Sequence, residues 1–347
     1  MPIRTTCIGA FPKPDYVPIK DWFHVDLGED AYADDVVSRW TDDPTHDATF
    51  ARATTEVVQA QINAGIDIVT DGEQRRENYV HYQCRHFEGF DFENLERRVL
   101  RNGAYDCVLP AIRSDVKAGN SVLVRDWKEA QAAAGDVPVK ITLPGPMTIM
   151  DSTADCYYDD DPRLAGDLAV ALNTEVLALV AAGCRHIQID EPVFARKPDA
   201  ALGYGIAALD QVLDGTVSKT TTAVHMCCGY PDRLDNPDYP KADHSIYHDL
   251  VAELDGKVDM ISIEDCHCHN DLSLFEQFKT SVAVVGFVDV AISGIETVDI
   301  IADRMREVLQ VLPPERLIGA PDCGLGFLGR DLALKKLKNL SVAAARV

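Results

Sequence analysis

The chain is predicted to be an α/β protein, a (β/α)8 TIM barrel with an insertion after the second strand. Three observations predict this. Eight short, β-rich apolar runs recur along the 347 residues, each ending in a Gly, Pro or acidic cluster. Several are separated by stretches with apolar residues at helical spacing. Residues able to bind metal or move protons stand just past the apolar runs, where barrels of this kind gather their chemistry.

In order, the runs are R-T-T-C-I-G-A-F (4–11), I-D-I-V-T-D-G-E (66–73), V-K-I-T-L-P-G-P (139–146), H-I-Q-I-D-E-P (186–192), T-A-V-H-M-C-C-G (222–229), D-M-I-S-I-E-D (259–265), V-A-V-V-G-F-V-D-V (282–290) and R-L-I-G-A-P-D-C-G (316–324). The clearest helix covers 161–183, opened by Asp-Pro and closed by glycine. Residues 74–138 break the rhythm with a charged, aromatic stretch, F-E-G-F-D-F-E-N-L-E-R-R, and a candidate strand, A-Y-D-C-V-L-P. They are expected to fold over the barrel mouth within a single domain spanning 1–347. No internal repeat, low-complexity tract or linker interrupts the chain.

With 46% hydrophobic residues the chain can bury a large core. A formal charge of −23, from 33 basic and 56 acidic residues, repels nucleic acid and anionic membranes, so neither is expected as a partner. The start, M-P-I-R-T-T, lacks the basic and apolar regions of a secretion signal, and no apolar run is expected to approach the ~20 residues that span a bilayer. A cytoplasmic location follows as the expectation. Ten cysteines then read as reduced thiols, some of them metal ligands, rather than a disulfide framework. Cys7, Cys84, Cys107, Cys156 and Cys184 stand alone and read as core or surface residues.

Four residues at the ends of three runs could hold one soft metal ion: His225, Cys227, Glu264 and Cys323. An H-x-C pair at a strand end turns both side chains to one face, because strand side chains alternate. Mixed N/S/O ligation suits zinc, and ligands gathered from three strand ends differ from the compact knuckles of structural zinc modules. Singly, each has a plainer explanation: a bonded core histidine, small buried thiols, a paired carboxylate. Together, at equivalent positions, they point to a metal. The cluster E-D-C-H-C-H-N-D (264–271) is a weaker site, since neighbours on a short loop diverge, but His267 or His269 could act on a substrate or orient a ligand. Of the tandem thiols, the H-x-C pattern selects Cys227 over Cys228. Glu73, Asp190 and Glu191 put carboxylates on the same rim, suited to an ammonium group or to orienting a ligand, with ion pairs to Arg75 or Arg76 as the structural alternative. P-loop and G-x-S-x-G patterns are absent, and no G-x-G-x-x-G fingerprint is expected, so nucleotide-phosphate, α/β-hydrolase and dinucleotide readings are set aside.

The ordered motifs T-T-x-I-G-x-F-P, G-P-M-T-I, I-Q-I-D-E-P, H-M-C, S-I-E and P-D-C-G resemble the catalytic barrel of the cobalamin-independent methionine synthases across essentially the whole chain. The long members carry a second, amino-terminal barrel; this chain resembles the short, single-barrel ones. The resemblance implies a zinc-dependent S-methyltransferase that turns homocysteine into methionine. Zinc would be held by His225, Cys227, Glu264 and Cys323, and the substrate ammonium by Glu73 and Asp190, beside Ile8 and Gly9. Asp190, with His267 or His269, would serve catalysis.

Several positions depart from the family pattern. The carboxylate-binding serine of I-G-S is Ala10, and the histidine that protonates the leaving amine is Ala291. The tryptophan that stacks on the pterin is Ser152, and a glutamate beyond D-E-P is Arg196. Methyltetrahydrofolate is therefore not the expected donor. A methylated corrinoid protein or another alkyl donor takes its place. A second reading is a lyase of the same superfamily that adds coenzyme M to an epoxide, with Arg196 facing the sulfonate. A third is a non-catalytic, thiol-binding barrel.

Overall fold

The computed structural model describes residues 2–19, 43–100, 105–229, 233–236 and 241–347; the Cys107 side chain lies outside the described residues. Eight short parallel strands form the central sheet: β1 (Arg4–Thr5), β2 (Val69–Thr70), β5 (Val139–Pro144), β7 (His186–Asp190), β8 (Thr221–His225), β9 (Met260–Ile263), β10 (Val282–Gly286) and β11 (Leu317–Ala320). They run in the order β1-β11-β10-β9-β8-β7-β5-β2, and a parallel bridge between Thr6 and Ile68 joins the two ends of that order. The sheet is therefore a (β/α)8 barrel; seven strands fall within their predicted runs, and β8 begins one residue before its own. The strands stop earlier than the runs, because the residues past each strand turn out into the loops of the mouth.

Strand alternation divides the interior. Ile8, Ala223, Met260, Val284, Ile318 and Ala320 form one apolar cluster, while Lys140, Thr142, Gln188 and Asp190 give the β5–β7 sector a polar lining. Outside the sheet, Ile141, Leu143, Ile187 and Ile189 pack into the main core beneath the helices.

Helix Asp161–Ala182 shows how the sequence sets its own limits. Asp160 caps its first turn through Arg163 N–H, proline occupies the first turn, and Gly183 leaves it at φ 100°. Contrary to the expectation that no apolar run approaches a membrane span, this helix is long and apolar enough by length and composition, with 50% of its most apolar window buried inside the fold. Within 74–138, β3 (Glu88–Leu100) and β4 (Tyr105–Lys117) make an antiparallel pair, extended by β6 (Ala154–Asp155) into a second sheet. Helix Leu123–Ala134 packs instead against helices Asp47–Ala64 and Asp161–Ala182. All nine cysteines with described side chains are free thiols.

Candidate metal and substrate site

His225 is the last residue of β8. Its Nδ1 lies 2.9 Å from Ser262 Oγ on β9, which fixes the ring, while its Nε2 is buried with no hydrogen-bond partner among the described residues. Burial, and secondarily the charge of Lys140, pushes the imidazolium down to about 3, so the ring is neutral, the form that ligates metals. The extended chain continues one step past β8, since Met226 N–H donates to Ser262 O. Cys227 thereby returns to the face of His225. Cys323, three residues past β11, completes a group whose ligand atoms all lie within 4.8 Å of one another. The Cys323 thiol is raised by its hydrogen bond with Cys227, by burial and by the charges of Cys227 and Glu264. The two thiols partner each other and leave the His225 ring nitrogen orphaned, whereas a soft divalent cation would satisfy all three.

Glu264, fully buried just past β9, is not in that three-residue group. Its Oε2 accepts from Cys228 N–H (2.6 Å) and from the Tyr247 hydroxyl (3.3 Å). Asp322 organises the loop beyond it: Oδ1 accepts from the N–H groups of Asp265 and Cys266, and Oδ2 from that of His267. The same Oδ2 faces His267 Nδ1 at 3.0 Å, while His267 Nε2 is 3.8 Å from Glu264 Oε2. Burial alone would lower the His267 imidazolium, but the Asp322 hydrogen bond and the charges of Glu264 and Asp322 outweigh it and raise the pKa. Gly286 makes room for this clamp, since a Cβ there would sit 2.1 Å from Asp322 Oδ1. His269 turns the other way. At φ 50° it pairs with Arg304 (3.2 Å) and Glu307 (3.8 Å) on helix Val298–Val308.

Across the mouth, Glu73 is held at φ 56°, a left-handed conformation that costs a non-glycine residue about 1 kcal/mol or more. Its Oε1 accepts from Thr142 Oγ1 (2.8 Å) and lies 3.6 Å from Arg76, whose guanidinium also meets Asp71 (3.2 Å) and the Thr142 carbonyl. Gly9 is required here, because a Cβ would come within 2.6 Å of Glu73 Oε1. Asp190 ends β7 with Oδ1 accepting from Gln188 Nε2 (2.7 Å), and the same amide donates to Ile8 O (3.0 Å). Burial, then the charge of Glu73, lifts Asp190 to about 8.

Glu191 does neither of the things expected of it. Its carboxylate caps helix Pro146–Asp151, accepting from Met147 N–H, Thr148 N–H and Thr148 Oγ1, and a Cβ on Gly145 would strike it at 2.2 Å. Arg75 is equally remote from that role, bonding Asp47 and Glu129. Arg76, named only as an ion-pair alternative, does pair with Glu73; Thr142, Gln188 and Asp322 are the site residues that sequence reasoning missed. The only signal was their place inside the motifs I-Q-I-D-E-P and P-D-C-G and, for Thr142, inside the run V-K-I-T-L-P-G-P.

The remaining edge of the mouth carries two of the departures, Ser152 and Arg196; Ala10 and Ala291 lie past β1 and β10. Ser152 ends helix Pro146–Asp151 and its carbonyl faces His81 Nε2 (2.8 Å). Arg196 pairs with Asp151 (2.9 Å), as does Lys197 (2.8 Å), and Arg196 Nε is buried without a partner among the described residues. Ala291 N–H donates to Asp289 (2.7 Å), and Ala10 O accepts from Leu325 N–H (2.7 Å). The stretch G-L-G-F-L-G (324–329) does have dinucleotide-turn spacing, which corrects the exclusion made on pattern alone. It follows the last strand of a closed barrel, with Gly324 packed on Ala10, rather than the first turn of an open doubly wound sheet.

Residues 3–346 match the family model for the catalytic domain of cobalamin-independent synthases. A methionine synthase of Saccharolobus solfataricus is 30% identical over 97% of this chain and 92% of its own length. One of Sulfolobus acidocaldarius is 29% identical over 97% and 90%. Among solved structures, a B12-independent methionine synthase from Shewanella sp. W3-18-1, in complex with selenomethionine, superposes with a TM-score of 0.84 at 30% identity, covering 99% of this chain and 97% of that one.

Proposed function

The chain belongs to the cobalamin-independent methionine synthase family, and from that premise we propose that it is a zinc-dependent S-methyltransferase acting on homocysteine. The observation that carries this reading is the convergence of His225, Cys227 and Cys323, with an orphaned ring nitrogen beside two thiols. These three residues would hold zinc, with Glu264 as the weaker fourth ligand. When bound, zinc would lower the pKa of the substrate thiol, ordinarily ~8.5, and keep its sulfur nucleophilic at neutral pH.

The chain's own residues do the rest. Glu73 and Asp190 would bind the ammonium of the substrate, beside Gly9 and the carbonyl of Ile8. An incoming cation would ionise Asp190, which burial otherwise keeps protonated near neutrality. His267, strung between Asp322 and Glu264, would orient Glu264 and hold a proton near the metal side. His269, paired with helix Val298–Val308, is assigned to the outer rim. We read the chain as one domain, with the 74–138 segment contributing Tyr79 beside the site: the phenol is raised well above its usual value by burial and then by the charge of Asp190.

Ala291 cannot protonate a leaving amine, and Ser152 offers no ring to a pterin. The donor is therefore read as one whose leaving group needs no proton, a methylated corrinoid being the chemistry that fits. Arg196, which would have favoured a sulfonate-bearing thiol, is matched by Asp151, so the coenzyme M alternative loses its main support. The test is methionine formation by the zinc-loaded protein from homocysteine and methylcobalamin. No product, with zinc present at about one per chain, would overturn the reading.

A further inference from the structure

We propose that Lys140 and Gln188 are positioning residues that set the direction of the Asp190 carboxylate from inside the barrel. This rests on the reading of Asp190 as part of the ammonium site.

All three side chains are buried and face the interior from neighbouring strands. Gln188 carries an amide that could be placed either way round. Lys140 removes that freedom. Its Nζ donates to Gln188 Oε1, and an ammonium has only donors to offer, so the amide oxygen must face β5. The two hydrogens of Nε2 are then turned to Ile8 O (3.0 Å) and Asp190 Oδ1 (2.7 Å), both acceptors. If the amide turned over, its oxygen would confront the Ile8 carbonyl, which can only accept, and its NH2 group would face an ammonium. Burial brings Lys140 down to about 8, so it keeps its charge, and this constraint, at neutral pH.

The arrangement joins three parts of the substrate site. The segment after β1 contributes the carbonyl of Ile8, beside Gly9; β7 contributes Asp190; β5 contributes Lys140 below Thr142, which bonds Glu73. The lysine is four residues before the mouth end of β5 and would touch no substrate. Its role would be to keep Asp190 Oδ1 engaged so that the carboxyl group cannot swing away while the site is empty. Barrel-floor charge is otherwise hard to explain, since burying a lysine costs stability unless its bonds do something.

The test compares homocysteine with 4-mercaptobutanoate, which lacks the amino group, as ligands of the zinc-loaded parent, Lys140→Met and Gln188→Glu. Lys140→Met frees the amide to turn over. Gln188→Glu keeps a partner for Lys140 but has no hydrogen to give Asp190. In both variants the KM for homocysteine should rise at least about tenfold, the worth of one hydrogen bond to a charged group. The affinity for 4-mercaptobutanoate and the zinc content should stay within about twofold, a split that general loss of fold would not give. Equal losses for both thiols, or full preference for homocysteine retained in both variants, would overturn the positioning role alone. A parent that binds both thiols equally would overturn the ammonium site itself, and this inference with it.

Discussion

Two edges of the same barrel mouth are built in different ways. At the ends of β8, β9 and β11, functional atoms are buried and clamped: Ser262 sets His225, Cys228 N–H and Tyr247 set Glu264, and Asp322 takes three backbone N–H groups. At helix Pro146–Asp151 and the segment after β7, polar groups pair mostly with each other, as Asp151 does with Arg196 and Lys197. Partly exposed pairs of that kind contribute little stability. The first edge can be changed only at high cost. The second can be rebuilt around another donor without disturbing the barrel, and it holds Ser152 and Arg196, two of the four departures from the family pattern.

The largest effect should come from breaking the clamped edge. In Cys227→Ser and Cys323→Ser, zinc should drop from about one per chain to near zero and methyl transfer should vanish, while the circular dichroism of the barrel is kept. Metal analysis and activity on the same preparations decide this. Full zinc occupancy in both variants would remove these residues from the ligand set.

Next comes the donor edge. Turnover with methyltetrahydrofolate should fall below that with methylcobalamin by the ~10²-fold or more that a positioned general acid contributes. The two donors are compared at equal concentration with homocysteine and zinc-loaded protein. A folate reaction at an ordinary enzymatic rate, of order 1 s⁻¹, would mean that another acid, such as His267, replaces the histidine missing at Ala291.

Between the two edges lies the acid pair. Glu73→Gln and Asp190→Asn should each weaken homocysteine binding by roughly 1.5 to 3 kcal/mol, with zinc retained, because a charge-assisted bond to the ammonium is lost. Unchanged affinity in both would point to a thiol without an amino group.

What was legible in the sequence follows the same division. The eight runs gave the strands because a barrel core demands apolar β-rich segments at regular intervals. H-x-C and P-D-C-G gave His225, Cys227 and Cys323 because their chemistry is rare. Glu191 was misread because a rim carboxylate and a helix cap look alike in one dimension. Only the distance from Met147 and Thr148 tells them apart. Gln188 and Lys140 were invisible for a related reason: strand alternation shows which residues face inward, but not that β5 and β7 gather the polar ones into one sector.

The smallest effect concerns how the donor edge is anchored. His81 is buried, and its Nε2 must carry the hydrogen that the Ser152 carbonyl accepts, so the ring is a neutral donor. Burial lowers its pKa from 6.5 to about 4. Between these values the unfolded chain binds a proton that the folded one does not, so stability rises with pH, is complete above about 6.5 and is lost as pH falls toward 4. From pH 7 to 5.5 this group should account for a loss of about 1 kcal/mol. His81→Phe should be less stable at pH 7, because the Ser152 carbonyl loses its donor, yet its urea midpoint should fall less steeply with acid than the parent's. His186 and His225, also held neutral by burial, titrate in both proteins and cancel in the difference. Parallel stability curves for parent and variant would show that His81 is not held neutral, and the donor edge would then be looser than its hydrogen bond to Ser152 implies.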